Sequence, residues 1–262
     1  MLSKYFHIQI EKVNHIVTIW LNRLEVRNAF NEQMITELTD AFLQVSNDDT
    51  VRVVVLRGRG KVFCAGADLN WMREMVQYDF EQNYADSLLL AKCLRAIYDC
   101  PKPTIAVAHG AVIGGGNGLV AACDISIAEQ NTIFALTEVR VGIIPACIAP
   151  FIIKRVGESQ SRLLMLTAQR ISADKAQAIG LVNVATDIRD IDQIVDSYTQ
   201  MFYEASPKAL EQCKKLIHEL CKPMNLDDAM AYTANMIATA RISEQGQEGM
   251  NAFLEKRNPN WM

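Results

Sequence analysis

The stretch from Gly114 to Ala146, GGGNGLVAACDISIAEQNTIFALTEVRVGIIPA, sets three consecutive glycines upstream of a carboxylate, Glu138. Glycines at the start of a helix let a ligand approach the backbone, where free N–H groups point outward with the positive end of the helix dipole behind them. Such a turn suits a phosphate or an oxyanion. The dinucleotide signature GxGxxG does not fit, because GAVIGGGNGLVAACD misses the third glycine spacing. GRGKVF likewise lacks the second glycine followed by Lys and Ser or Thr of a P-loop. A second small-residue turn, FCAGAD at 63–68, follows the strand-like VRVVVLRG and offers another outward N–H. Taken singly, each turn also reads as an ordinary tight loop. Glu138, in FALTEVRVGIIP, has three readings: a surface partner of Arg140, a carboxylate at a helix N-terminus, or a carboxyl at the edge of an apolar pocket. In the third, burial raises its pKa toward neutrality and fits it for proton transfer. His109 has no serine or cysteine in a nucleophile elbow beside it, so it reads as a turn histidine.

The elements that must position these groups alternate. FHIQIEK and HIVTIWLN form a hairpin pair of strands, and NEQMITELTDAFLQVSND places Met34, Leu38, Phe42 and Val45 at helical spacing behind Asn31 as N-cap. VRVVVLRG is a buried strand, DSLLLAKCLRAIYDC an amphipathic helix stopped by PKP, and TIAVAHG a further strand. LVAACD, ISIAEQ and IFAL are short elements around turns, and beyond Val156 every segment is helical in pattern. With no low-complexity linker, this implies one α/β core over 1–200 and a helical C-terminal region over 201–262.

Composition bounds the function. The 262 residues are half hydrophobic, with 21% charged residues and a net charge of −4, and no long basic run points to nucleic acid or an anionic membrane. Seven cysteines at irregular spacing, with no CxxC and no close histidine pair, argue against a disulfide framework or a metal site; they read as reduced thiols. The first residues lack a signal-peptide pattern, and the longest apolar run, VGIIPACIAPFII, is too short to span a bilayer. A cytoplasmic location is expected.

FCAGADLN, AVAHGAVIGGGNGLVAACDISIA, TEVRVGIIP and QRISADKAQAIGLVNVA together resemble the enoyl-CoA hydratase/isomerase (crotonase) superfamily, over nearly the whole chain. The resemblance implies a spiral of strand-strand-helix turns, with C-terminal helices packing subunits into homo-trimers or hexamers. It implies an acyl-CoA substrate, with no cofactor beyond the coenzyme A that substrate carries. The thioester enolate would be held by the backbone N–H groups of Ala67 and Gly115, with Glu138 transferring protons. The CoA tail would cross Arg27, Ala29, Ala65, Asp68, Leu69 and Asn70, with Phe253 and Lys256 as contributors near the C-terminus.

Three positions depart from the family pattern. Asn70 stands where related hydratases often carry lysine, and Leu24 where proline is common. Gly118 occupies the position of the first of two catalytic glutamates, so the two-carboxylate scheme does not carry over whole. Its missing side chain would leave room for a branched or carboxylated acyl group. Three readings follow: a hydratase resembling bacterial 3-methylglutaconyl-CoA hydratases of leucine breakdown, a 3-enoyl to 2-enoyl-CoA isomerase using Glu138 alone, or a non-catalytic acyl-CoA-binding protein.

Overall fold

The computed structural model describes residues 5–262. It is an α/β fold built from repeated strand-strand-helix turns. The hairpin forms as β1 (Ile8–Val13) and β2 (Ile16–Leu21), antiparallel, with Ile8 opposite Leu21. Helix α1 (Glu32–Ser46) then buries Met34, Leu38, Phe42 and Val45, and the Asn31 side chain accepts the Met34 N–H at 3.0 Å. That cap satisfies one of the donors a helix start leaves open. Strand β3 (Val53–Gly58) pairs parallel to β2, and its first four residues are buried, as a strand covered on both faces requires.

A short helix α2 (Leu69–Met75) and the long α3 (Phe80–Tyr98), the latter opened by an Asp79–Gln82 capping box, lead to β4 (Thr104–Ala108). Next come β5 (Ala111–Ile113), α4 (Gly116–Ala122), β6 (Ile125–Glu129) and β7 (Ile133–Ala135). After one 3₁₀ turn at Glu138–Val141, α5 (Ala149–Thr167) follows, interrupted at Gly157. β8 (Ile171–Ser172), α6 (Ala173–Ala178) and β9 (Val184–Thr186) complete this part. Two sheets result, a six-stranded one in the order β1-β2-β3-β4-β6-β9 and a three-stranded one in the order β5-β7-β8. In the two central repeats, β4-β5-α4 and β6-β7-α5, the first strand joins the large sheet and the short second one joins the small sheet before the helix.

Strands β8 and β9 correct the expectation that everything beyond Val156 is helical. Both are too short to show a periodicity of their own, and β9 is specified by pairing with β6, Ile127 opposite Val184. Helix α4 was legible only as a short element, because a segment buried on every side has no polar stripe to betray its period.

The chain divides into two compact units, one of residues 5–100 with 104–195, the other of 101–103 with 196–262. The first contains both sheets and the continuous apolar core. In the second, α8 (Pro207–Leu220), α9 (Leu226–Ile242) and α10 (Glu244–Glu255) pack on one another, while α7 (Ile191–Glu204) crosses the division. Large apolar side chains remain exposed on the second unit, including Ile217, Leu226, Ile237, Ile242 and Phe253. Among the described residues no helix is long and apolar enough to cross a membrane, and no cluster of three or more His, Cys, Asp or Glu could hold a metal ion.

One buried carboxylate ties the chain's beginning to α1. Glu37 accepts the N–H groups of Phe6, His7 and Ile8 at 3.0, 2.8 and 3.2 Å, and the Gln33 amide at 2.8 Å. Burial alone would raise its pKa, but these four donors hold it below the usual carboxylate value. Its contribution is therefore fully present above the unfolded-state pKa and is lost as pH falls through the folded one. Glu37→Ala should lower unfolding free energy by about 2–4 kcal/mol at pH 7, since three backbone donors lose their acceptor. Urea denaturation should show the gap to wild type shrinking as pH falls below 4. Equal midpoints at pH 7 would show the anchor to be without consequence.

Candidate active site

The site begins with two backbone segments laid side by side. Residues 27–30 run parallel to 65–68: Ala65 N–H donates to Arg27 O at 3.1 Å, Phe30 N–H to Gly66 O at 2.7 Å, and Asp68 N–H to Phe30 O at 2.8 Å. The second turn docks on the first. Cys64 N–H donates to Ala111 O at 3.1 Å and receives the Ile113 N–H on its own carbonyl at 2.9 Å. Glycine is required where they touch. A Cβ on Gly116 would stand 2.9 Å from Cys64 Cβ, and Gly66 and Gly114 have φ of 96° and 52°, which side-chain-bearing residues rarely adopt.

In this pairing the N–H groups of Ala65 and Asp68 are committed to the partner segment, at Arg27 O and Phe30 O. Among the described residues the N–H groups of Ala67 and Gly115 donate to no protein acceptor. Ala67 is exposed and Gly115 half-buried, although Gly66, Asp68, Gly114 and Gly116 beside them are buried. The ring of Phe30 supports Gly115 from beneath, 3.1 Å from where its Cβ would be. Phe30 was not singled out in the sequence, because a buried phenylalanine after LEVRNA looks like any core residue.

Glu138 lies over the junction of the two turns. A Cβ placed on Gly114 would meet Glu138 Oε1 at 3.2 Å and Gly66 Cα at 3.9 Å. The surface-pair reading of Glu138 does not hold, since Arg140 turns away and donates to Ala168 O at 2.9 Å. Glu138 Oε2 is buried and has no hydrogen-bond partner. Burial pushes its carboxyl pKa up, against a smaller opposing effect of its own backbone N–H. An unpaired carboxyl costs stability and is suited to exchanging protons.

Gly118 corrects the expectation of extra room. A Cβ there would lie 2.4 Å from Ile148 Cγ2 and 3.2 Å from Leu94 Cδ1, so the space is filled by Ile148, itself only 2% exposed. A longer residue at 118 would have to displace that side chain.

The residues expected along a coenzyme tail divide. Arg27, Leu69 and Asn70 are exposed, Ala65 is half-buried and Ala29 is buried. Asp68 is buried with both oxygens engaged, one accepting from Asn70 N–H at 2.8 Å and the other from Arg23 at 2.8 Å. Burial would raise the Asp68 pKa, but these donors lower it, so this carboxylate acts as helix cap and ion-pair partner. Asp68 and Asn70 line a cleft of about 580 Å³ with Arg23, Asn31, Trp71 and Glu74, which does not include Ala67 or Gly115. Phe253 and Lys256 belong to the second unit, both exposed, with Lys256 ending α10 in the left-handed conformation. His109 places Nε2 3.0 Å from Gly60 O, a turn contact.

A pair of outward N–H groups beside an unpaired carboxyl, on strand-strand-helix turns, defines the class: the chain belongs to the enoyl-CoA hydratase/isomerase family, whose profile matches residues 11–262. Among solved structures, an enoyl-CoA hydratase from Shewanella pealeana is 36% identical with a TM-score of 0.96, covering 98% of this chain and 97% of its own. The Pseudomonas aeruginosa protein AtuE is 32% identical with a TM-score of 0.94, over 98% and 99% of the two chains. The enoyl-CoA hydratase AKT6-1 of Alternaria alternata is 34% identical over 88% of this chain and 76% of its own.

The raised Glu138 pKa has a thermodynamic signature separate from activity. The group favours its neutral form in the folded protein, so its penalty is absent below the unfolded-state pKa and grows as pH rises through the folded one. Glu138→Gln should therefore raise the melting temperature at pH 7.5, with the gain vanishing near pH 4. A melting temperature lowered at pH 7.5 would mean that the carboxylate is paired and stabilising.

Proposed function

We propose that this protein hydrates the double bond of a 2-enoyl-CoA thioester. The observation that carries this reading is the convergence of Glu138 on the junction of the two turns whose Ala67 and Gly115 N–H groups are free. The thioester oxygen accepts from both N–H groups. Ionised Glu138 takes a proton from water as the hydroxyl oxygen bonds to the β-carbon, and the pair of electrons of the double bond moves into the enolate. Glu138 then returns that proton to the α-carbon and the thioester carbonyl re-forms. One carboxyl thus serves both proton transfers, and each N–H donor contributes roughly 3 kcal/mol as negative charge develops on oxygen.

The coenzyme tail is assigned to Arg27, Ala65, Leu69 and Asn70, with Phe253 and Lys256 contributed by a neighbouring subunit. Asp68 holds its turn in place through Arg23. The motifs GGGNGLVAACD and TEVRVGIIPA support a branched acyl group such as 3-methylglutaconyl. A second reading, 3-enoyl to 2-enoyl isomerisation, is favoured by Ile148 standing where a second carboxylate would be, because moving a double bond needs only one proton carrier.

Purified protein should be assayed with crotonyl-CoA, 3-methylglutaconyl-CoA and a 3-enoyl-CoA. Loss of the conjugated enoyl absorbance is expected for the hydratase, and its appearance from the 3-enoyl substrate would favour the isomerase. On the best substrate Glu138→Gln should lose roughly a hundredfold to ten-thousandfold in kcat with little change in CoA affinity. A variant keeping more than about a tenth of the rate would remove Glu138 from the proton-transfer role.

The exposed apolar residues of the C-terminal helices support assembly as a homo-trimer or hexamer. Light scattering at micromolar concentration should give a mass of at least three times the 29.3 kDa chain, and a monomer would refute the assembly.

A further inference from the structure

Asn117 is the one polar side chain in the otherwise apolar, fully buried α4, and it is 1% exposed. Its Nδ2 lies 3.1 Å from Val112 O, 3.1 Å from Gly114 O and 3.0 Å from Ala135 O. Its backbone N–H also donates to Gly114 O, at 3.0 Å, and Gly114 N–H donates to Ala135 O at 2.9 Å. A primary amide has two N–H bonds, so three carbonyls share two hydrogens. The three belong to the middle of β5, to the glycine turn, and to the last residue of β7, three positions before Glu138.

The Gly114 carbonyl and the Gly115 N–H are parts of one planar peptide unit and point in opposite directions across it. Two donors from Asn117 on Gly114 O therefore fix the direction in which Gly115 N–H points. They also draw electron density toward that oxygen, which makes the N–H on the far side of the same peptide a stronger donor. The third contact, to Ala135 O, sets the same turn against the end of β7, three residues before Glu138.

We propose that Asn117 is a positioning residue that aims and polarises the Gly115 N–H for the thioester oxygen and holds it in register with Glu138. This rests on the oxyanion reading of Ala67 and Gly115. A merely structural amide would affect stability alone, whereas this role must appear in the electronic state of the bound acyl group.

The test uses 4-(dimethylamino)cinnamoyl-CoA, whose conjugated absorption moves to longer wavelength when its carbonyl is polarised. Wild type should shift the bound probe to the red. Asn117→Ala should bind it with similar affinity but a smaller shift, and on the best enoyl-CoA substrate lose about tenfold to a hundredfold in kcat with KM nearly unchanged. Asn117→Ser, which keeps one hydroxyl donor, should fall between the two and serves as the readout if Asn117→Ala does not fold. A folded variant of either kind with the full red shift and wild-type kcat would overturn the role of Asn117 alone. Absence of any shift in wild type would overturn both this proposal and the oxyanion reading.

Discussion

The rest of the site depends on one close approach between backbones. The turn around Cys64 and Gly66 and the turn around Gly114 and Gly116 meet so tightly that a single added carbon at Gly116 would collide with Cys64 Cβ. Glycine within or beside a helix costs roughly 1 kcal/mol in conformational freedom. Here that cost is offset by packing: α4 is buried along its whole length, and Cys64 and Leu119 are wholly inaccessible. Once the two turns are in contact, the N–H groups of Ala67 and Gly115 are left without a protein acceptor. The free donors are thus a consequence of packing, and no side chain is needed to supply them.

Glu138 is the counterpart of those donors. A half-buried carboxyl with an unpaired oxygen is destabilising at neutral pH, and the fold compensates at a distance, through a large apolar core and through carboxylates that are fully paired. Glu37 and Asp68 show the contrast. All three groups are desolvated, but Glu37 and Asp68 accept several hydrogen bonds and sit below the normal pKa, whereas Glu138 sits above it. The number of donors facing each carboxylate decides whether it holds structure or is left able to exchange a proton.

The filling of the Gly118 position by Ile148 narrows the chemistry. A site with one carboxyl must use it twice in adding water, or use it to remove and return the same proton in moving a double bond. Ile148 places an aliphatic side chain where a residue longer than glycine at position 118 would project.

Much of this was readable from residue order. The alternating hairpin, the α1 face of Met34, Leu38, Phe42 and Val45, and the valine run of β3 follow from periodicity and local propensity, which each segment carries within itself. The two small-residue turns and Glu138 were visible because their residue types are unusual for their surroundings. What the tertiary structure decided concerns partners distant in sequence. Whether Glu138 pairs with Arg140 or stands alone is set by Ala168, which takes the arginine. Whether Gly118 leaves a space is set by Ile148, thirty positions later. The short strand β9 exists because β6 offers it an edge, and Asn117 acquires a role only because three carbonyls from separate elements converge on it. A one-dimensional pattern encodes what a residue prefers, but hydrogen-bond satisfaction and excluded volume are settled only when non-neighbouring segments meet.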